Sequence, residues 1–274
     1  MNITLACSPD ADDLFMMRAL LDKEIDTQGY TFDITTEPTH ALNTIAAGGH
    51  GPDVIAISVA HYPAIAPQYQ MLPHGGSMGE GYGPVVVAPT PMSIDNLKGK
   101  KVAIPGHTTT AWMVLQLITA TDPVVVPITP YARIFEALRE NVVDAGLIIH
   151  EGRLTYEAEG MHKIIDIGEW WEAETGGLPL PLGANTIRRS LGATVIREVS
   201  ALLKESILHG LAQRDEAINW LLAKGGALKS HQSVDTYLRM YANERTVDYG
   251  DAGRAAIDEL FRRAGLNITV DYAP

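Results

Sequence analysis

The residues with the clearest capacity for chemistry are His150 and Glu151, which follow the apolar run Gly146-Leu-Ile-Ile149 within the stretch from Asp144 to Tyr156. Histidine titrates near neutral pH and serves as a proton acceptor or donor with little help from its surroundings. The run before it reads as a short buried strand. In an open α/β sheet, ligands collect beyond the carboxyl ends of the strands, so this pair is expected to face a pocket. Without further information, a surface or hydrogen-bonded core histidine is the commoner outcome at such a position. Glu151 is a candidate partner for His150, although neighbours on a strand point to opposite faces, which argues against direct pairing.

Two other clusters could bind a polar ligand. Ser8, Asp10, Asp12 and Asp13 sit where a strand gives way to a helix. Short acceptors and carboxylates suit the free amides of a first helical turn, so capping is one expectation; the other is that Ser8 and one carboxylate face a cleft. A metal site built on the three aspartates lacks the glycine and glutamate spacing of an EF-hand. In His107-Thr-Thr-Thr-Ala-Trp112, three threonines at a helix start place hydroxyls beside free amides, a local site for a carboxylate. Ser58 closes the apolar run from Asp53. The glycine-dense stretch His74 to Pro84 allows close approach of backbone to a ligand, but it lacks the lysine of a nucleotide P-loop.

These groups require elements to carry them. Strands are expected at Asn2 to Cys7, Tyr30 to Thr36 and Asp53 to Ser58, with helices over Leu14 to Leu21, Ala41 to Ala47 and Ala60 to Ala66. This β-α alternation implies a parallel sheet with right-handed crossovers. After the Val85 to Ala88 run, a second series follows: a strand within Leu97 to Gly106, a helix through Thr119, a strand from Pro123 to Pro127, a helix over Ile134 to Glu140, and the strand that delivers His150. Leu178-Pro-Leu-Pro-Leu-Gly183 reads as an extended connector, because its prolines forbid helix. The Trp170-Trp171 pair is expected to pack at a lobe junction. From Ser190 onward the pattern is helical, with helices at Val195 to Leu211, Asp215 to Lys224, Val234 to Tyr241 and Ala252 to Ala264. The second series looks like an insertion, giving a larger α/β lobe from 1–88 and 184–274 and a smaller α/β lobe at 89–183.

Composition narrows the function classes. The 274 residues are 46% hydrophobic and 20% charged, as in ordinary globular proteins. A net charge of -12 argues against nucleic acid or anionic membranes as partners. No apolar run approaches the ~20 residues that cross a bilayer. The single cysteine, Cys7, excludes an intramolecular disulfide. No basic region or long apolar segment precedes Leu5-Ala6-Cys7-Ser8, so a cytoplasmic location is expected.

Two α/β lobes joined by two extended crossings, with helix starts facing a cleft, resemble the type II periplasmic binding proteins. At the level of residues the chain resembles the 1,4-dihydroxy-6-naphthoate synthases of the futalosine route to menaquinone. The resemblance rests on Gly146 to Glu151 with Arg153 and Thr155-Tyr156, then Asp166, Gly168, Trp170-Trp171-Glu172, Thr175-Gly176 and Leu178 to Gly183. Pro105-Gly106, Thr109-Thr110-Ala111, Gly81, Gly83-Pro84 and Leu42-Asn43 also stand where that family has them. It implies a lyase with no metal or organic cofactor that converts cyclic dehypoxanthine futalosine to the dihydroxynaphthoate and releases a three-carbon fragment. It implies His150 as general base, with Ser58, Thr109, Thr110 and Asn43 on the polar parts of a small anionic aromatic substrate. Ser8, Asp12, Gly83, Thr108, Ala111 and Glu151 complete the expected substrate site.

The chain departs from that family in the acidic turn, reading Ser8-Pro-Asp-Ala-Asp-Asp-Leu-Phe15 where Ser-Pro-Cys-Pro-Asn-Asp-Thr-Phe is common. His107 precedes the threonines where Arg-His-Thr-Thr is usual. Fewer cations and more carboxylates make a cleft less hospitable to a carboxylate ligand. The alternatives are a non-catalytic anionic-solute binding or sensing protein on the same fold, or a related menaquinone-pathway enzyme with another substrate, such as the sister dehydratase acting on chorismate.

Overall fold

The computed structural model describes residues 1–126 and 132–274. The first sheet series comprises β1 (Asn2–Cys7), α1 (Ala11–Leu21), β2 (Thr31–Thr36), α2 (Thr39–Ala47), β3 (Val54–Ser58), α3 (Tyr62–Ile65), β4 (Tyr69–Met71) and β5 (Ser77–Gly79). The chain then forms β6 (Val85–Ala88), β7 (Lys101–Ile104), α4 (Thr110–Ile118), β8 (Asp122–Val125), α5 (Ala132–Arg139), β9 (Ala145–Ile148), β10 (His162–Asp166) and α6 (Ile167–Thr175). It returns through β11 (Leu180–Arg188) to α7 (Ala193–Ala212), α8 (Arg214–Lys224), α9 (His231–Tyr241), α10 (Glu244–Val247) and α11 (Gly250–Arg263). The expected end of the β8 strand at Pro127 lies outside the described residues.

The strands form two mixed sheets. The first runs β2-β1-β3-β11-β4, with β5 also on β11; the second runs β10-β6-β9-β7-β8. The expected parallel core holds for β1 with β2 and β3, and for β7 with β8 and β9. The returning β11 lies antiparallel to β3, β4 and β5, and β6 antiparallel to β9 and β10. All five residues of β3 are buried, as a near-continuous apolar strand in the middle of a covered sheet requires.

Sheet membership differs from the expected boundaries at both crossings. β6, assigned by the 88/89 boundary to the larger lobe, pairs with β9 and β10 in the second sheet. Its four residues are all buried, so a partner on each side satisfies its backbone. Leu180 to Gly183, read as connector, is the first part of β11 and pairs with β5 in the first sheet. Pro181 is accommodated there by a shift of register before Gly183.

The tryptophan pair lies in α6, capped by Asp166, whose carboxylate accepts from the amides of Gly168 at 2.8 Å and Glu169 at 3.4 Å. Trp171 is fully buried and donates its indole N–H to the Pro179 carbonyl at 3.0 Å. A continuous hydrophobic core runs through both sheets. A second cluster forms where α8 and α9 pack on Phe15 of α1.

Candidate active site

β9 ends at Ile148, and the backbone turns at once into a short 3₁₀ segment, His150–Leu154. His150 has φ +53°, a left-handed conformation that few non-glycine residues adopt, histidine being among the commoner of them. Such strain concentrates at sites where the surroundings hold a residue in one orientation. That turn brings the second sheet's His150 against the first sheet's α1 and α2. Its Nδ1 lies 3.2 Å from Asp10 Oδ2, and its Nε2 lies 3.2 Å from Thr39 Oγ1.

The expected residues divide into four groups. Ser8, Asp12, Ser58, Thr109, Thr110, Ala111 and His150 line one cleft. Asn43 and Thr108 support it from behind. Asn43 is fully buried, accepts the Ser58 amide at 2.9 Å, and donates to Ser58 Oγ at 3.2 Å and Thr108 Oγ1 at 3.0 Å. It thereby ties α2 to the end of β3 and to the turn before α4. Glu151 is buried and accepts the Ala11 N–H at 3.0 Å, capping α1 from the other sheet. The opposite-face argument against its pairing with His150 does not apply, because the strand has already ended.

Gly83, expected at the substrate, packs instead against the backbone of Gly168, 2.9 Å from where a Cβ would stand. Its signal was a motif position, which cannot distinguish close packing of two chain segments from contact with a ligand. Thr109 caps α4, accepting the Trp112 amide at 3.3 Å, and donates to the Gly106 carbonyl at 2.9 Å. Thr110 donates to the Leu182 carbonyl at 2.8 Å and accepts the Ala60 amide at 3.1 Å. Both hydroxyl protons are therefore committed to protein carbonyls, and the remaining first-turn donors here are the amides of Thr110 and Ala111.

Asp13, one of the carboxylates of the acidic turn, also lines the cleft; Thr39, Ser77, Tyr237 and Tyr241, besides the apolar Leu42, Ala56, Ile57, Ile149 and Leu182, line it without having been marked as site residues by the sequence. Tyr237 and Tyr241 lie one turn apart on α9, where an apolar stripe reads as core. Tyr237 donates its hydroxyl to Asp12 Oδ1 at 3.2 Å. Asp13 accepts the Ser8 amide at 2.6 Å.

Burial governs the charge of the acidic turn. It pushes Asp12 up to about 7, aided by the neighbouring Asp13 and opposed by His150. Asp13 is likewise pushed up to about 7 by burial, against the Ser8 amide that favours its charged form. Burial also holds the Glu151 carboxyl well above the usual range. At neutral pH the turn is thus less anionic than its formula, which reduces the repulsion expected toward an anionic ligand. Among the described lining residues there is no lysine or arginine. Arg153 is engaged with Asp166. Among the described residues no group of three His, Cys, Asp or Glu side chains is arranged to hold a metal ion, and no helix is long and apolar enough to cross a membrane.

Two mixed α/β sheets with a cleft lined from both define a protein of the type II periplasmic-binding-protein-like class. The alkanesulfonate-binding protein of Xanthomonas axonopodis pv. citri, only 13% identical, matches with a TM-score of 0.69 over 98% of this chain and 96% of that one. Much nearer is a crystal structure of a protein from Archaeoglobus fulgidus, 36% identical, with a TM-score of 0.88 over 96% of this chain and 97% of that one. The chain belongs to the menaquinone biosynthesis family, whose sequence profile matches residues 3–265. A 1,4-dihydroxy-6-naphthoate synthase of Thermus thermophilus is 35% identical over 96% of this chain and 93% of its own length.

Proposed function

We propose that this protein is a cytoplasmic 1,4-dihydroxy-6-naphthoate synthase, a lyase acting on cyclic dehypoxanthine futalosine, with His150 as the general base. The observation that carries the catalytic part is the placement of His150: partly buried at the junction of the two sheets, contacted at both ring nitrogens, and facing the cleft. A fixed base beside an enclosed ligand removes a substrate proton with little reorganisation. Leu42, Ile57, Ile149, Leu182, Tyr237 and Tyr241 offer the apolar walls an aromatic ring system needs. The amides at the start of α4 suit the substrate's carboxylate, since helix N-termini attract anions.

In this reading the two sheets are the cores of the two lobes, and the crossings run through residues 80–84 and 176–179. Ser8, Ser58 and Asp12 then face polar groups of the substrate, while Asn43 and Thr108 keep Ser58 in place.

The shared fold with a solute-binding protein supports a second reading, a binding or sensing protein without turnover. Incubation with cyclic dehypoxanthine futalosine separates the two. The synthase yields the dihydroxynaphthoate by chromatography; a binding protein raises its Tm with the ligand and consumes none of it.

A further inference from the structure

We propose that Asp10 is the positioning residue for His150, holding the proton on Nδ1 so that Nε2 is the ring nitrogen presented to the cleft. The proposal rests on the reading of His150 as base.

A neutral imidazole carries one donor and one acceptor nitrogen, and the group facing each fixes which is which. Nδ1 faces a carboxylate oxygen at 3.2 Å. Nε2 faces the Thr39 hydroxyl at 3.2 Å, and Thr39 lines the cleft with it. Only one assignment satisfies both contacts: Nδ1–H donates to Asp10, and Nε2 accepts from the Thr39 hydroxyl, which a substrate hydroxyl can replace.

The conduct of Asp10 within its own helix supports this. Asp10 is the N-cap residue of α1, and aspartate is among the best residues at that position, yet its side chain makes no capping hydrogen bond. The nearby amides are served by others: Ala11 by Glu151 at 3.0 Å, and Ser8 by Asp13 at 2.6 Å. The Asp10 carboxylate instead accepts from Ser8 and faces His150. Ser8 donates its hydroxyl to Asp10 Oδ2 and accepts the Asp10 amide at 3.0 Å, which fixes the carboxylate rotamer. The order is Ser-Asp-His, with the carboxylate in the middle. Ser8 therefore gives its proton to the carboxylate and is not activated by the imidazole, so it orients rather than attacks.

The test reads the tautomer directly. Ligand-free protein labelled with ¹⁵N-histidine is examined by long-range ¹H–¹⁵N correlation at pH 8, the His150 signals being those missing from His150→Ala. The expected wild-type ring is protonated on Nδ1, and Asp10→Ala and Asp10→Asn shift it toward Nε2–H. With cyclic dehypoxanthine futalosine, both variants are expected to lose at least about tenfold in kcat while KM stays within about threefold, because orientation of the base rather than binding is removed. A wild-type ring protonated on Nε2, or kcat within about twofold of wild type in both variants, overturns the proposal. If wild type makes no product, the synthase reading fails instead; if His150→Ala stays active, the reading of His150 as base fails; in either case the wild-type tautomer still decides the role of Asp10.

Discussion

Glu151 Oε1 accepts the Ala11 N–H at 3.0 Å, so a residue of the second sheet's 3₁₀ turn caps a helix of the first. The same turn begins with His150, so this contact and the imidazole's orientation depend on one segment.

Loss of that cap has a measurable cost. Glu151→Ala leaves a partly buried amide without its acceptor and is expected to destabilise by about 1 kcal/mol. Glu151→Gln keeps an acceptor and is expected to stay near wild type at low pH. Because burial raises the Glu151 carboxyl in the folded protein, the native state holds a proton that the unfolded chain releases above about pH 4.3. Stability from this group is lost as pH rises, so Glu151→Gln should gain on wild type toward neutral pH in thermal melts. Equal melting curves for all three proteins would refute the cap.

Asp12 makes a related prediction with a defined window. Its folded value of about 7 lies above the unfolded value of about 4, so the folded protein binds the extra proton between them. Stability from this group is therefore present at acid pH and lost as pH rises through 4 to 7. Asp12→Asn keeps an acceptor for Tyr237 and removes the titration. Its Tm is expected to depend less on pH than that of wild type and to exceed it at pH 8. A Tm series at pH 4.5, 6 and 8 checks this, and parallel slopes would contradict it.

Asn43 joins β3, α2 and the turn before α4, so its role is support rather than contact. Asn43→Ala orphans the buried Ser58 amide and is expected to cost about 1–3 kcal/mol in denaturant unfolding. KM should rise as Ser58 and Thr108 lose their common anchor. A variant as stable as wild type would remove Asn43 from the framework.

The residues explain what could be read in advance. The run Gly146 to Ile149 is apolar and ends in a lone titratable pair, so a strand delivering His150 to a cleft was visible in the sequence. The threonines at α4 were visible for the same reason, since helix starts carry recognisable acceptors. Thr39, Tyr237 and Tyr241 were not, because they reach the cleft through packing of α2 and α9, and nothing local marks a tyrosine stripe as lining rather than core. β11 was missed because Pro181 argues against a strand, a rule that a register shift beside β5 circumvents. The diversion of Asp10 from capping to His150 depends on a contact between distant segments, whereas its sequence neighbours point only to a cap.

The proposed role of His150, removal of a proton in the conversion of cyclic dehypoxanthine futalosine, is tested by single-turnover product formation with wild type and His150→Ala. Dihydroxynaphthoate is expected from wild type, with a rate lowered at least about 100-fold in the variant and ligand-induced stabilisation retained. Product formation by His150→Ala at a rate near that of wild type would contradict it.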